Sequence, residues 1–169
     1  MRYAPILIGL ALMGTVPAIG QALKGHDAKS PVDVEADRIE VQDRSDRAVF
    51  SGNVVVRQAN MTLTASRLTV AYARADGGVS IERLDASGGV SVKSPSETAR
   101  GDFAVYDLNR RIITLVGGVE LTQGNNRVQG GRMVIDLDTG RATVDGRSAP
   151  GVGNSGRVTG RFTVANTKK

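Results

Sequence analysis

The stretch Ser51-Gly52-Asn53-Val54-Val55-Val56 pauses at Arg57-Gln58-Ala59-Asn60 and resumes as Leu63-Thr64-Ala65-Ser66-Arg67-Leu68-Thr69-Val70. It is a glycine turn, a short apolar run, a polar break and an alternating strand. The same form returns as Ser87-Gly88-Gly89-Val90-Ser91-Val92 with Ala99-Arg100-Gly101-Asp102-Phe103-Ala104-Val105, and again as Val116-Gly117-Gly118-Val119-Glu120-Leu121 with Gly130-Gly131-Arg132-Met133-Val134-Ile135. Ala36-Asp37-Arg38-Ile39-Glu40-Val41 copies the second half only. A period of about 30 residues built from short strands indicates stacked β units that share one core.

Alternation assigns the faces. Val54 with Val56, Leu68 with Val70, Val90 with Val92, Phe103 with Val105, Val119 with Leu121, and Met133 with Ile135 and Leu137 each share a parity. The residues between them are mostly polar, so each strand shows one apolar and one wet side, and two such faces must meet. Leu63, Ile113 and Leu115 extend the apolar set. Strands are expected from residue 32 to 144 with almost no helix. The glycine pairs Gly88-Gly89 and Gly117-Gly118 are expected as hairpin turns that separate strand 80–85 from 90–93 and strand 112–116 from 119–122.

Composition agrees with thin β layers. Glycine occupies 21 of 169 positions, well above its usual share of about 7%, while aromatic residues make up 4% and cysteine is absent. The net charge is +5, carried by 17 Arg and 5 Lys set among 17 carboxylates. No basic run exceeds two residues and no aromatics interleave with the cations, which argues against nucleic acid as a partner. Without cysteine there is no disulfide, thiolate metal site or cysteine nucleophile. One histidine, His26, has no second ligand nearby in sequence, so neither a metal nor a cofactor is expected. Asp102 with Asp107, and Asp136 with Asp138, are the carboxylate pairs to consider for acid–base work; both flank exposed positions, and no enzyme is expected.

The amino terminus reads as a leader. Met1-Arg2 is positive, residues 6–16 are apolar, Pro17 breaks a helix, and Gly20-Gln21-Ala22 places small residues where a signal peptidase reads them. The chain thus divides into a signal peptide (1–22), a disordered lead-in (23–30), one β domain (31–164) with a flexible glycine-rich connection (145–156), and a polar tail (165–169).

Residues 31–38 (Pro-Val-Asp-Val-Glu-Ala-Asp-Arg), Phe50 to Val56, Leu63 to Leu68, Thr114 to Leu121 and Val128 to Met133 together resemble the OstA-like family of lipopolysaccharide transport proteins. The resemblance implies an all-β fold, an open twisted antiparallel β-jellyroll of V shape, a "β-taco". It implies a periplasmic bridge that binds lipopolysaccharide acyl chains in an apolar groove and passes them from the inner to the outer membrane. The groove-facing candidates are then Val54, Val56, Leu63, Leu68, Val70, Val90, Val92, Phe103, Val105, Ile113, Leu115, Val119, Leu121, Met133, Ile135 and Leu137. Implied partners are an LptC-like inner-membrane protein, an LptD-like outer-membrane protein, and further copies head to tail through the end strands near 32–41 and 157–164. A membrane-anchored LptC-like component and a secreted β-solenoid that binds polysaccharide are the competing assignments; zero Trp and no carboxylate cluster disfavour the second. On this reading Val70, Phe103 and Ile135 contact lipid whereas Thr69 and Asp136 do not, and Ile135→Asp stops transport without loss of β structure.

Overall fold

A computed structural model describes residues 23, 25–75, 77–147 and 156–163. Ten strands make one antiparallel sheet: β1 (Asp33–Glu35), β2 (Arg38–Gln42), β3 (Arg47–Gln58), β4 (Met61–Ala75), β5 (Gly78–Lys93), β6 (Glu97–Asp107), β7 (Ile112–Gln123), β8 (Asn126–Asp136), β9 (Arg141–Asp145) and β10 (Thr159–Arg161). The six strands β3 to β8 form an uninterrupted meander, each paired to the next. Their lengths, 11 to 16 residues, are about twice the usual strand of 5–6. The reason lies in the glycines.

Gly88-Gly89 and Gly117-Gly118 are not hairpin turns. The strands run straight through them, as β3 runs through Gly52-Asn53. At each site two residues on one strand oppose a single residue on the next: Gly52 and Asn53 against Ser66, Gly88 and Gly89 against Asp102, Gly117 and Gly118 against Gly131. These are β-bulges, and they form a line that crosses the whole sheet. Both members of each doubled pair have positive φ (79° and 46°, 85° and 74°, 83° and 50°), a conformation glycine adopts without steric cost. The pairs were legible as turn chemistry. What they turn is the sheet itself, which creases along this line.

The crease divides every long strand between two walls. The first wall contains β1, residues 54–58 of β3, 61–65 of β4, 90–93 of β5, 97–101 of β6, 119–123 of β7, 126–130 of β8, and β10. The second contains β2, the remaining halves, and β9. β1 and β2 are therefore the two halves of one edge, interrupted at Ala36-Asp37, and β10 and β9 form the opposite edge. Asp37 secures the crease at the first edge: its amide donates to the Gly52 carbonyl at 2.9 Å, and its Oδ2 accepts Asn53 Nδ2 at 2.9 Å. Ser66 Oγ donates to the Gly88 carbonyl at 2.7 Å. The expected final strand at 157–164 is confined to Thr159–Arg161. The expected leader, the tail at 165–169 and most of the 145–156 connection lie outside the described residues.

Folded in this way, the two apolar faces meet. Leu68, Ile113, Leu115 and Met133 are fully buried, as are Val56 and Ile135 within 1%. Side chains from both walls thus fill the centre of the V. The outer faces carry the charge, in pairs such as Arg57 with Glu35 at 2.7 Å and Arg83 with Asp85 at 2.6 Å. Exposed pairs of this kind contribute about 0–1 kcal/mol each, so the fold rests on the interior.

The described residues of the lead-in, 23 and 25–30, lie against the sheet. Leu23 is buried in the core cluster, His26 is buried, and turns close through His26 N to Leu23 O at 3.1 Å and Ser30 N to Asp27 O at 3.2 Å. Its polar composition is spent on these turns and on hydrogen bonds to the sheet, a pattern that composition does not distinguish from disorder.

Candidate functional site

On the second wall two inner rows cross the sheet at right angles to the strands. One runs Ile39, Phe50, Leu68, Ala86, Ala104, Leu115, Met133, Val144; the other runs Val41, Ala48, Val70, Leu84, Tyr106, Ile113, Ile135, Ala142. On the first wall the facing row is Val34, Val56, Leu63, Val92, Ala99, Leu121, Val128, Gly160. Eight strands at about 4.8 Å spacing make each row roughly 34 Å long. Apart from the Tyr106 hydroxyl the rows contain no polar group.

Of the sixteen groove candidates, thirteen are buried on this inner face: Val54, Val56, Leu63, Leu68, Val70, Val90, Val92, Ile113, Leu115, Val119, Met133, Ile135 and Leu137. Leu121 is half-buried in the first-wall row. Phe103 and Val105 are misplaced in the sequence assignment. They point outward, Phe103 with 53% of its surface exposed, while Ala104 and Tyr106 turn inward at 2% and 1%. The cause is local. Phe-Ala-Val-Tyr is apolar at both parities, so alternation cannot choose between its faces, and the single-residue bulge at Asp102 reverses the parity set by Ala99 and Gly101. The doubled bulges on β3, β5 and β7 preserve parity, so the buried residues keep one parity on both sides of them. Sequence reasoning also missed Met61, Ala65, Leu84, Ala86 and Ala99, all buried on the same face; a search for one-residue insertions opposite each glycine pair would have found Ala104 and Tyr106.

The inner rows are covered in the middle, and exposed apolar side chains stand at one edge of each wall. At the β2 edge of the second wall Ile39 and Val41 are 56% and 60% exposed, whereas Ala142 and Val144 at its β9 edge are half-buried; on the first wall Val158 and Phe162, which flank β10, are 44% and 49% exposed. Exposed apolar side chains thus stand at both edges of the stack, where β1–β2 and β9–β10 have no further strand beside them among the described residues.

Away from the crease a polar cluster joins the walls. The Tyr106 hydroxyl, on the second wall, donates to Gln58 Oε1 on the first at 2.9 Å. The same Gln58 oxygen lies 3.1 Å from His26 Nε2, and His26 Nδ1 lies 3.3 Å from Asn60 Oδ1. Gln58 Nε2 donates to the carbonyls of Ala28 and Ser30, each at 3.0 Å. Burial pushes the Tyr106 phenol up to about 12, partly opposed by its bond to Gln58. Nearby, Glu97 is buried and accepts from the Leu23 amide, and burial raises its carboxyl above the usual range while that amide pulls the other way. The lead-in is thus fastened across the far side of the V from the crease. Gln58→Leu leaves the Tyr106 hydroxyl, His26 and two carbonyls without their partner and is expected to cost about 2–3 kcal/mol. Tyr106→Phe removes one donor and should cost about 1 kcal/mol. Urea denaturation of the two variants checks the order.

No catalytic constellation forms among the described residues. Asp136 Oδ1 accepts the amides of Asp138 and Thr139, each at 3.0 Å, and the Thr139 amide above all holds the Asp136 carboxyl below its ordinary range. It shapes the β8–β9 turn. Asp102 packs against Gly117 in the crease. No group of three or more His, Asp or Glu able to hold a metal occurs among the described residues, and none of their helices is long and apolar enough to cross a membrane.

Residues 33–141 match the family described as LptA/(LptD N-terminal domain) LPS transport protein. An uncharacterised protein of Rhizobium meliloti (strain 1021) is 34% identical over 121 residues, covering 68% of this chain and 65% of its own length. The LPS-assembly protein LptD of Sodalis glossinidius is 30% identical over 133 residues, 78% of this chain but 16% of that protein. The chain therefore spans about two thirds of the first of these and a small part of the second. The lipopolysaccharide export system protein LptH of Pseudomonas aeruginosa is 26% identical over 157 residues, covering 85% of this chain and 87% of LptH. The crystal structure of LptH, described as the LptA homologous periplasmic component of a lipopolysaccharide transport device, superposes with a TM-score of 0.73 at 21% identity, over 82% of this chain and 99% of that one. The match reaches from the first strand into β9 and so takes in both walls and the crease between them: this chain belongs to the LptA/LptD N-terminal domain family of LPS transport proteins.

Proposed function

We propose that the chain is a periplasmic bridge that holds lipopolysaccharide by its acyl chains between the two walls and hands it along a head-to-tail stack. The observation that carries this is the apolar track between the walls, roughly 34 Å long, with exposed apolar side chains at both edges of the stack. Acyl chains left in water cost about 0.8 kcal/mol per methylene. Between the walls they exchange one apolar contact for another, so separating the walls costs chiefly the polar cluster around Gln58. At the edges, unpaired strand backbone on β1–β2 and β9–β10 suits strand addition. An LptC-like protein on one side, an LptD-like protein on the other and further copies between them would then continue the track.

Photoreactive residues at Ile39, Val70 and Ile135 are expected to capture lipopolysaccharide, and those at Thr69, Phe103 and Asp136 to give background. Ile39 is the most informative position, because its exposure accommodates the larger side chain. Capture at Phe103 equal to that at Ile135 would sink the groove assignment. A second test separates function from folding. Ile39→Asp places a charge on a surface that is already open, so it should change stability by under about 0.5 kcal/mol yet block transfer in a reconstituted membrane-to-membrane assay.

A further inference from the structure

The buried carboxylate of Glu97 has no role in the lipid track, and the geometry around it points to a processing event. It lies on the first wall, and its Oε1 accepts a hydrogen bond from the backbone nitrogen of Leu23. That nitrogen belongs to the Ala22–Leu23 peptide bond, the bond that Gly20-Gln21-Ala22 marks for a signal peptidase. We infer that cleavage at this bond frees the α-amino group of Leu23 and that the new ammonium locks onto the Glu97 carboxylate, so that leader removal completes the closure of the V.

Three features of the site agree. Glu97 is only 7% exposed, and a buried carboxylate whose partners, the Leu23 amide and the Ser94 side chain, are both neutral is poorly compensated. An ammonium at the same nitrogen supplies three donors and a full opposite charge. Leu23 has φ of 57°, a left-handed conformation in which a branched side chain is crowded by the carbonyl that precedes it. Cleavage removes that carbonyl, so the conformation is strained before processing and unstrained after it. The Leu23 side chain is 3% exposed within the core cluster, which fixes the nitrogen where the carboxylate waits. His26, held between Gln58 and Asn60, is the other titratable group on this segment that packs against the sheet, and its partners are neutral. The lock needs no bound lipid, so it stands or falls apart from the transport assignment.

The test uses the protein secreted with its own leader. Intact mass should place the first residue at Leu23. An amine-reactive reagent at neutral pH, with sites resolved by peptide mapping, should then label the Leu23 amine about tenfold more slowly than in Glu97→Gln, the effect of one unit on an amine's pKa. A version expressed without the leader but retaining Ala22 serves as control. It should unfold at lower urea than the mature form, and Glu97→Gln should erase that gap. A mature terminus elsewhere, equal labelling in the wild type and Glu97→Gln, or a gap that survives Glu97→Gln would each overturn the inference.

Discussion

Ile135→Asp is expected to abolish the folded state rather than to give a stable protein that fails to transport. Ile135 is 1% exposed and sits between Ile113 on β7 and Ala142 on β9, in an inner row of the second wall. Truncating a buried isoleucine costs about 2–5 kcal/mol. The unpaired carboxylate adds several more, since no Lys or Arg is buried in the core among the described residues. Against a total stability of about 5–15 kcal/mol for a domain of this size, the sum removes most or all of it. Far-UV circular dichroism should show loss of β signal, with partial recovery at acid pH where the aspartate is neutral. A cooperative transition within about 1 kcal/mol of the wild type would mean that the interior is open to water. The expectation drawn from sequence, inactive yet folded, treated Ile135 as the lining of a slot. Its complete burial makes it part of the core, and Ile39→Asp is the substitution that separates the two roles.

Gly117→Val is expected to cost about 3 kcal/mol or more, from two sources. The residue has φ of 83°, a conformation that costs an L-residue about 1–2 kcal/mol and a β-branched one more. A Cβ built there would also lie 2.4 Å from Asp102 Oδ2 and 2.9 Å from Asp102 Cβ, closer than atoms approach without displacement. Gly118, at φ 50°, has nothing within 4 Å of its would-be Cβ. Gly118→Ala should therefore carry the conformational cost alone, about 1–2 kcal/mol. Adding Asp102→Ala to Gly117→Val relieves the contact but not the strain, and should recover part of the loss. Urea midpoints of the four proteins check the ordering. Equal costs at 117 and 118 would show that close approach across the crease is not what the first glycine provides.

These two predictions mark the boundary of what the sequence could reveal. The repeat beginning at Gly52, the alternation of Val54 with Val56 and of Met133 with Ile135, and the motifs in order were sufficient for the all-β jellyroll, the family and most of the inner face. They failed at Phe103, because a run apolar at both parities has no period to read. They failed at Gly88 and Gly117 in a different way: the need for positive φ was visible, but a hairpin and a mid-strand bulge make the same local demand. Only pairing across the sheet distinguishes them, by setting one residue (Ser66, Asp102 or Gly131) opposite each doubled pair.

The lead-in and the closing cluster lay further out of reach. Nothing local to His26, Gln58, Glu97 or Tyr106 predicts that they converge, since these contacts join residues 32 to 74 positions apart. Local chemistry, written residue by residue, determined which faces are apolar, where the backbone must take left-handed angles and which family the chain resembles. Tertiary structure alone decided that those angles crease one sheet into two walls and that the space between them is filled. It also decided that residues 23 and 25–30 are drawn in beside it, because each of these outcomes depends on which distant strand or segment arrives opposite a given residue.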